Sequence, residues 1–274
     1  ILIVLLILVL LVGLWILSFR GKRSSGDFHG LAKYHYAHRG LHDSASGIPE
    51  NSLLAFRKAV EHGYGAELDV HLSKDGRLVV IHDESLLRTA GVNRKVCDCT
   101  AKELRGYFLE ETGEPIPFLE EVLPIFAGKT PLVVELKPHA KNHAALAAAT
   151  CKMLDQYPDL EYCIESFDPR ALLWLKKHRP EIIRGQLASN FMKDRSGLAA
   201  PLAFLLTNLM CNFLTVPHFV AYRYSDRRNL CLRLSRKIWG VQALPHAGAA
   251  PEQPGQAADV VRVPVGDKHR PDVR

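Results

Sequence analysis

From Tyr34 onward, short aliphatic runs alternate with amphipathic stretches, and charged side chains sit at the ends of those runs. Few arrangements can bury such a pattern. Short apolar strands separated by amphipathic helices imply βα units and a parallel sheet. The strands are expected at His35–His38, Ala66–Val70, Leu78–His82, Pro131–Leu136, Leu160–Phe167, Ile182–Ala188 and His218–Tyr224. Between them, helices are expected at Ser52–Glu61, Phe118–Phe126, Ala144–Leu154, Pro169–His178, Leu198–Phe213 and Asp226–Trp239. Ser52 is the expected N-cap of the first, and Gly63 its stop. Residues 83–118 read as an irregular excursion with one short helix near Ala101–Leu104.

The chain opens differently. Ile1–Leu17 carries no charged side chain, and the run ends only at Arg20. As a helix it is about 28 Å long, close to one hydrocarbon core. No small-residue cleavage site follows Phe19, which favours a transmembrane helix over a secretory signal. Arg20, Lys22 and Arg23 then place the following domain in the cytoplasm by the positive-inside tendency. The expectation is a single-pass membrane protein with a cytoplasmic domain. Six cysteines at irregular spacing, with no CxxC pair, read as free thiols in a reducing compartment. A net charge of +6, with no basic stripe interleaved with aromatics, suits an anionic small molecule and not nucleic acid.

Four short segments carry candidate chemistry. Glu67 and Asp69 are two apart on a strand, so both carboxylates share a face. Two like charges held together imply a cation between them, and a hard divalent ion takes oxygen ligands from both. Glu135 ends another apolar strand, where an unpaired charge is costly. These three are the expected metal ligands. Lys137 shares the face of Glu135, which suggests a phosphate partner. His38 ends the first strand and Arg39 opens the next loop with a planar fork suited to phosphate oxygens. Gly40 would let the backbone approach a ligand closely. His82 ends a further aliphatic strand. Two histidines at C-terminal strand ends of a parallel barrel would face the active-site rim and could serve as acid and base. Glu50 and Asn51 stand before the first helix, as a metal-proximal acid and a substrate contact or simply as a helix-start loop. His42, His71, His139 and His218 have no assigned role.

Tyr36-Ala37-His38-Arg39-Gly40, Pro49-Glu50-Asn51-Ser52, Ala66-Glu67-Leu68-Asp69-Val70, Val79-Val80-Ile81-His82-Asp83-Glu84 and Val134-Glu135-Leu136-Lys137 resemble, in order and spacing, the glycerophosphodiester phosphodiesterase family. The segment Pro117–Val122 resembles the family's lead into the next barrel helix. The resemblance covers about residues 34–242. It implies an α/β TIM (β/α)8-type barrel with a small insertion, about 71–114, after the second strand. It also implies a divalent ion, Mg2+ or Ca2+, at Glu67, Asp69 and Glu135, with His38 and His82 as the acid/base pair and Arg39 and Lys137 near the phosphate. The reaction implied is metal-dependent hydrolysis of glycerophosphodiesters to glycerol 3-phosphate and an alcohol.

The last 32 residues hold five Pro, three Gly and no aromatic residue, and lack the family's closing strands. They read as a disordered tail, 243–274, with one strand-like piece at Val260–Val265. The expected organisation is a transmembrane helix at 1–19, a linker at 20–33 and the phosphodiesterase domain at 34–242, its C-terminal strands missing or replaced. Two other readings stay open: a phosphodiesterase for lysophospholipid head groups at the membrane surface, and an inactive truncated homologue.

Overall fold

The computed structural model describes residues 1–22, 30–194, 197–246 and 260–262. Among the described residues nine strands form one sheet: β1 (His35–Ala37), β2 (Gly65–Leu72), β3 (Leu78–Val80), β4 (Leu132–Leu136), β5 (Tyr162–Ser166), β6 (Arg184–Ala188), β7 (Phe219–Arg223), β8 (Gln242–His246) and β9 (Val260–Arg262). Along the sheet the order is β8-β7-β6-β5-β4-β2-β1-β9. Every pairing from β1 to β8 on this path is parallel, and helices link successive strands. The result is a curled, TIM-like α/β sheet.

Local signals hold where they rest on hydrogen bonding within a few residues. The Ser52 side chain accepts from the Ala55 amide and caps the helix Leu53–Glu61. Thr100 and Glu103 form a reciprocal capping box that starts the single turn Ala101–Leu104. Ala55, Phe56 and Ala59 bury one face of the Leu53–Glu61 helix, and Phe56 meets Phe126 edge to face at 5.8 Å. This packing joins the main core with Leu68, Val70, Leu132, Val134 and Ile164.

Three expectations change. First, β3 does not lie on the parallel path: it returns antiparallel along β2, with Val80 opposite Val70. The intervening turn contains Asp75 and Gly76, and Gly76 takes φ +79°. The segment that follows has its own small core of Ile81, Leu86, Val96, Cys99, Leu104, Leu109 and Ile116.

Second, the C-terminal strands are not simply missing. Gln242–His246 adds to β7 in parallel, and Val260–Arg262 pairs antiparallel with β1. Residues 247–259 and 263–274 of the expected tail lie outside the described residues.

Third, no helix among the described residues is long and apolar enough to cross a membrane. This overturns the expected transmembrane helix and single-pass localisation. The first helix covers Leu2–Ser18, and its end belongs to the globular domain. Phe19 is fully buried with Ala188, Val220, Tyr222 and Val241, and Trp15 and Ile16 pack on that cluster. The Trp239 indole N–H donates to the Ile16 carbonyl, and the Ser235 hydroxyl to that of Phe19. These contacts remove the last turn from any span. The cytoplasmic placement rested on the span; Arg23, one of its three cations, lies outside the described residues.

Docking of this turn can be measured. Phe19→Ala is expected to cost about 3–5 kcal/mol, the usual loss for a fully buried Phe. Urea unfolding reads it directly; a cost below about 1 kcal/mol would mean the turn is not part of the core.

The expected helix at Leu198–Phe213 breaks in two, Ala200–Thr207 and Asn212–Thr215, with Leu209 between them at φ +58°. All six cysteines are free thiols, and four are buried.

Candidate active site

Alternation along β2 sends Glu67 and Asp69 to the same face. Register then sets Asp69 beside Glu135 on β4, and Glu135 beside Glu165 on β5. All four carboxylates are buried. Carboxylate oxygens of Glu67, Asp69 and Glu135 come within 4.8 Å of one another. The three residues expected as metal ligands are therefore brought together.

Lys137 enters the same cluster. Its Nζ lies 2.8 Å from Glu135 Oε1 and 3.1 Å from Asp69 Oδ1. One ammonium does not satisfy three acids. Glu67 Oε1 is buried without a hydrogen bond, and Asp69 Oδ1 and Glu135 Oε1 have only the Lys137 ammonium to share. A buried, oxygen-only donor set with unsatisfied lone pairs fits a hard divalent cation such as Mg2+ or Ca2+.

The electrostatics follow from crowding. Burial, then the charges of Asp69 and Glu135, push Glu67 well above the usual carboxylate range. Burial raises Glu135 to about 7, against the pull of Lys137. Glu165 rises to about 8, from burial and then from Glu135. Burial also opposes the charge on Asp69, but Lys137 and Arg39, with the hydrogen bond from Asn51, outweigh it and keep that group ionised.

This crowding makes stability depend on pH. Glu135 and Glu165 hold their protons in the folded state to about 7 and about 8, while the unfolded chain releases them near 4.5. Between those values the folded state binds more protons, so stability falls as pH rises. The metal-free protein is expected to melt at lower temperature at pH 8 than at pH 5.5, and added Mg2+ or Ca2+ should narrow the gap. Calorimetry across that range checks this; a flat profile would contradict the crowding.

His38, Arg39 and Gly40 follow β1 directly. His38 Nε2 lies 3.8 Å from Glu67 Oε2, and the Arg39 backbone N–H donates to the same oxygen at 3.1 Å. The Arg39 guanidinium donates to both oxygens of Glu50, at 3.0 and 3.2 Å. Its Nε points toward Asp69 at 3.6 Å and is buried without an acceptor. Gly40 also has a steric reason to be glycine. It takes φ +82°, and a Cβ there would come within 2.8 Å of Ala55 Cβ. The turn thus presses against the start of the Leu53–Glu61 helix. Asn51 donates to Asp69 Oδ2 at 2.9 Å and holds φ +54°, a left-handed conformation that Asn tolerates.

His82 reaches the site by the antiparallel return, not from a parallel strand end. The Ile81 amide donates to the Asp69 carbonyl, which sets the next residue beside the carboxylates. His82 Nδ1 lies 2.6 Å from Asp83 Oδ1, which in turn pairs with Arg88. The bond fixes the ring and presents Nε2 as its other nitrogen. Burial lowers the imidazole below its ordinary value and so keeps it neutral near pH 7.

The sequence reading missed two participants. Arg88 reaches back from the excursion to grip Glu50 at 2.6 and 3.2 Å, so Glu50 is clasped by two guanidiniums. Against the effect of burial, these two cations hold Glu50 below the usual carboxylate range. It is a structural anchor for Arg39 more than a ligand. Glu165 is the second. A glutamate inside the strand Tyr162–Ser166 was the available signal, and only register reveals that it neighbours Glu135.

Residues 38–219 match the glycerophosphoryl diester phosphodiesterase family. A glycerophosphodiester phosphodiesterase of Bacillus altitudinis is 37% identical over 157 residues, 54% of this chain and 63% of the relative. The chain thus spans less than two thirds of that relative's length. The human lysophospholipase D named GDPD1 is 36% identical over 136 residues, 45% of this chain and 41% of the relative. Among solved structures, an Oleispira antarctica phosphodiesterase in complex with the product sn-glycerol-3-phosphate superposes with TM-score 0.55 at 27% identity, covering 76% of this chain and 90% of that one. With the family match spanning well over half its residues, this chain belongs to the glycerophosphoryl diester phosphodiesterase family.

Proposed function

We propose that this chain hydrolyses glycerophosphodiesters to glycerol 3-phosphate and an alcohol, using a divalent cation held by Glu67, Asp69 and Glu135. The observation that carries the proposal is the convergence of these three buried carboxylates within 4.8 Å, beside Lys137 and Arg39. Bound there, the cation supplies Lewis-acid stabilisation of charge on the phosphoryl oxygens.

The chain's own residues do the rest. Lys137 and Arg39 present positive charge to the phosphoryl group as its negative charge grows. The buried Nε of Arg39, 3.6 Å from Asp69 and without a close hydrogen bond, is a ready donor for a phosphate oxygen. His82, neutral and oriented by Asp83, takes the proton from the attacking oxygen. His38 donates a proton to the departing alcohol. Asn51 and Arg88 hold Asp69 and Glu50 in place.

The direct test is release of glycerol 3-phosphate from glycerophosphocholine by the full chain, with and without Mg2+ or Ca2+. Turnover that needs the cation supports the proposal; none under any cation favours the inactive homologue. A second reading, cleavage of lysophospholipid head groups, has support in the similarity to the human lysophospholipase D. Lysophosphatidylcholine turned over faster than glycerophosphocholine would favour it.

A further inference from the structure

We propose that Glu84, Cys97 and His139 form a second cation site, one that takes a thiophilic divalent ion of the Zn2+ class. Their donor atoms lie within 4.8 Å of one another, apart from the carboxylate cluster. The three residues come from separate segments: Glu84 after β3, Cys97 in the turn Val96–Asp98, and His139 after β4. Nothing in their local sequence requires them to meet.

The donor chemistry differs from that of the first site. Sulfur, imidazole nitrogen and one carboxylate oxygen form a borderline-soft set that suits Zn2+ or Co2+ over Mg2+ or Ca2+. Glu84 Oε1 already lies 3.0 Å from His139 Nδ1. Cys97 is a free thiol whose contact is a long one, 3.8 Å to Asp98 Oδ1. Bonds of about 2.0–2.3 Å to a shared ion require the donors to draw somewhat closer. The side chains of Glu84 and His139 are 42% and 36% exposed, so rotation suffices. Three protein ligands leave a fourth position for water. Binding forms the metal–sulfur, metal–nitrogen and metal–oxygen bonds and releases the thiol proton to solvent.

Lys95 is the built-in competitor. Its ammonium sits 2.7 Å from Glu84 Oε1 and must swing away, which its 54% exposure permits. Occupancy would tie the excursion that holds Cys97 to the loops just beyond His82 and Lys137.

The experiment is Co2+ titration of the full chain in excess Mg2+, the cation that the proposed carboxylate site would take. Expected is one equivalent that produces a thiolate-to-cobalt charge-transfer band. Cys97→Ser should abolish the band, His139→Ala should weaken binding at least about tenfold, and Lys95→Ala should tighten it. Glu135→Gln should leave the band intact, which separates this site from the proposed catalytic one. The proposal is overturned if no thiolate band forms, if the band survives Cys97→Ser, or if Glu135→Gln removes it. Should Cys97→Ser misfold, the paired shifts in His139→Ala and Lys95→Ala decide the matter by the same readout.

Discussion

Replacing either His38 or His82 with Ala is expected to lower kcat for glycerophosphocholine by about 100- to 10,000-fold, the range for loss of a positioned acid or base. The two rings stand on different elements around the same carboxylates: His38 is 3.8 Å from Glu67, and His82 follows the Ile81 amide bonded to Asp69. His38 is itself buried, so the melting temperature of each variant is measured alongside to separate a catalytic loss from a structural one. The loss should fall on kcat more than on KM, because the protons move only as bonds break and form. Asp83→Asn should give a smaller loss, since it removes orientation of His82 and not the base itself. Steady-state kinetics with a coupled glycerol 3-phosphate assay measures all three. A histidine variant within about threefold of the parent would remove that residue from the acid/base pair.

Glu135→Gln should separate activity from stability. Turnover is expected to fall about 100- to 1,000-fold, comparable to removal of one preorganised electrostatic group. Stability without metal should move the other way at pH 8. Burial and the neighbouring Asp69 oppose ionisation of Glu135 up to about 7, so above that value the folded state carries a charge it disfavours. A neutral amide of the same shape relieves that cost, while Lys137 keeps Asp69 as a partner at 3.1 Å. The rise in melting temperature on adding Mg2+ or Ca2+ should shrink or vanish in the same variant. Calorimetry at pH 8 with and without cation reads both effects. A variant that keeps the full cation-dependent shift would place the ion elsewhere.

Much of the site was legible because its logic is short-range. Glu67 and Asp69 share a face through strand periodicity alone, and Glu135 and Lys137 do so across a β-strand end. Ser52 caps its helix through a hydrogen bond to Ala55, three residues on. Such patterns need no knowledge of distant chain. Glu165 and Arg88 were hidden because their partners are far away in sequence, Glu135 through sheet register and Glu50 through a fold-back of the excursion.

What the sequence determined by itself was the alternation of strands and helices, the candidate site residues, and the family to which their motifs point. Direction, register and docking were decided by tertiary structure. His82 looked like the end of one more parallel strand, yet it arrives on an antiparallel return beside Asp69. The opening apolar run looked like a membrane span, yet no described helix is long and apolar enough to cross one, and Phe19 at its end is buried in the globular domain. The residues after Gln242 looked like a tail, yet Gln242–His246 extends the sheet beside β7. In each case hydrophobicity and spacing were read correctly but leave the partner open. Apolar surface is buried equally well by lipid or by protein, and an edge strand takes whichever backbone reaches its unpaired N–H and C=O groups.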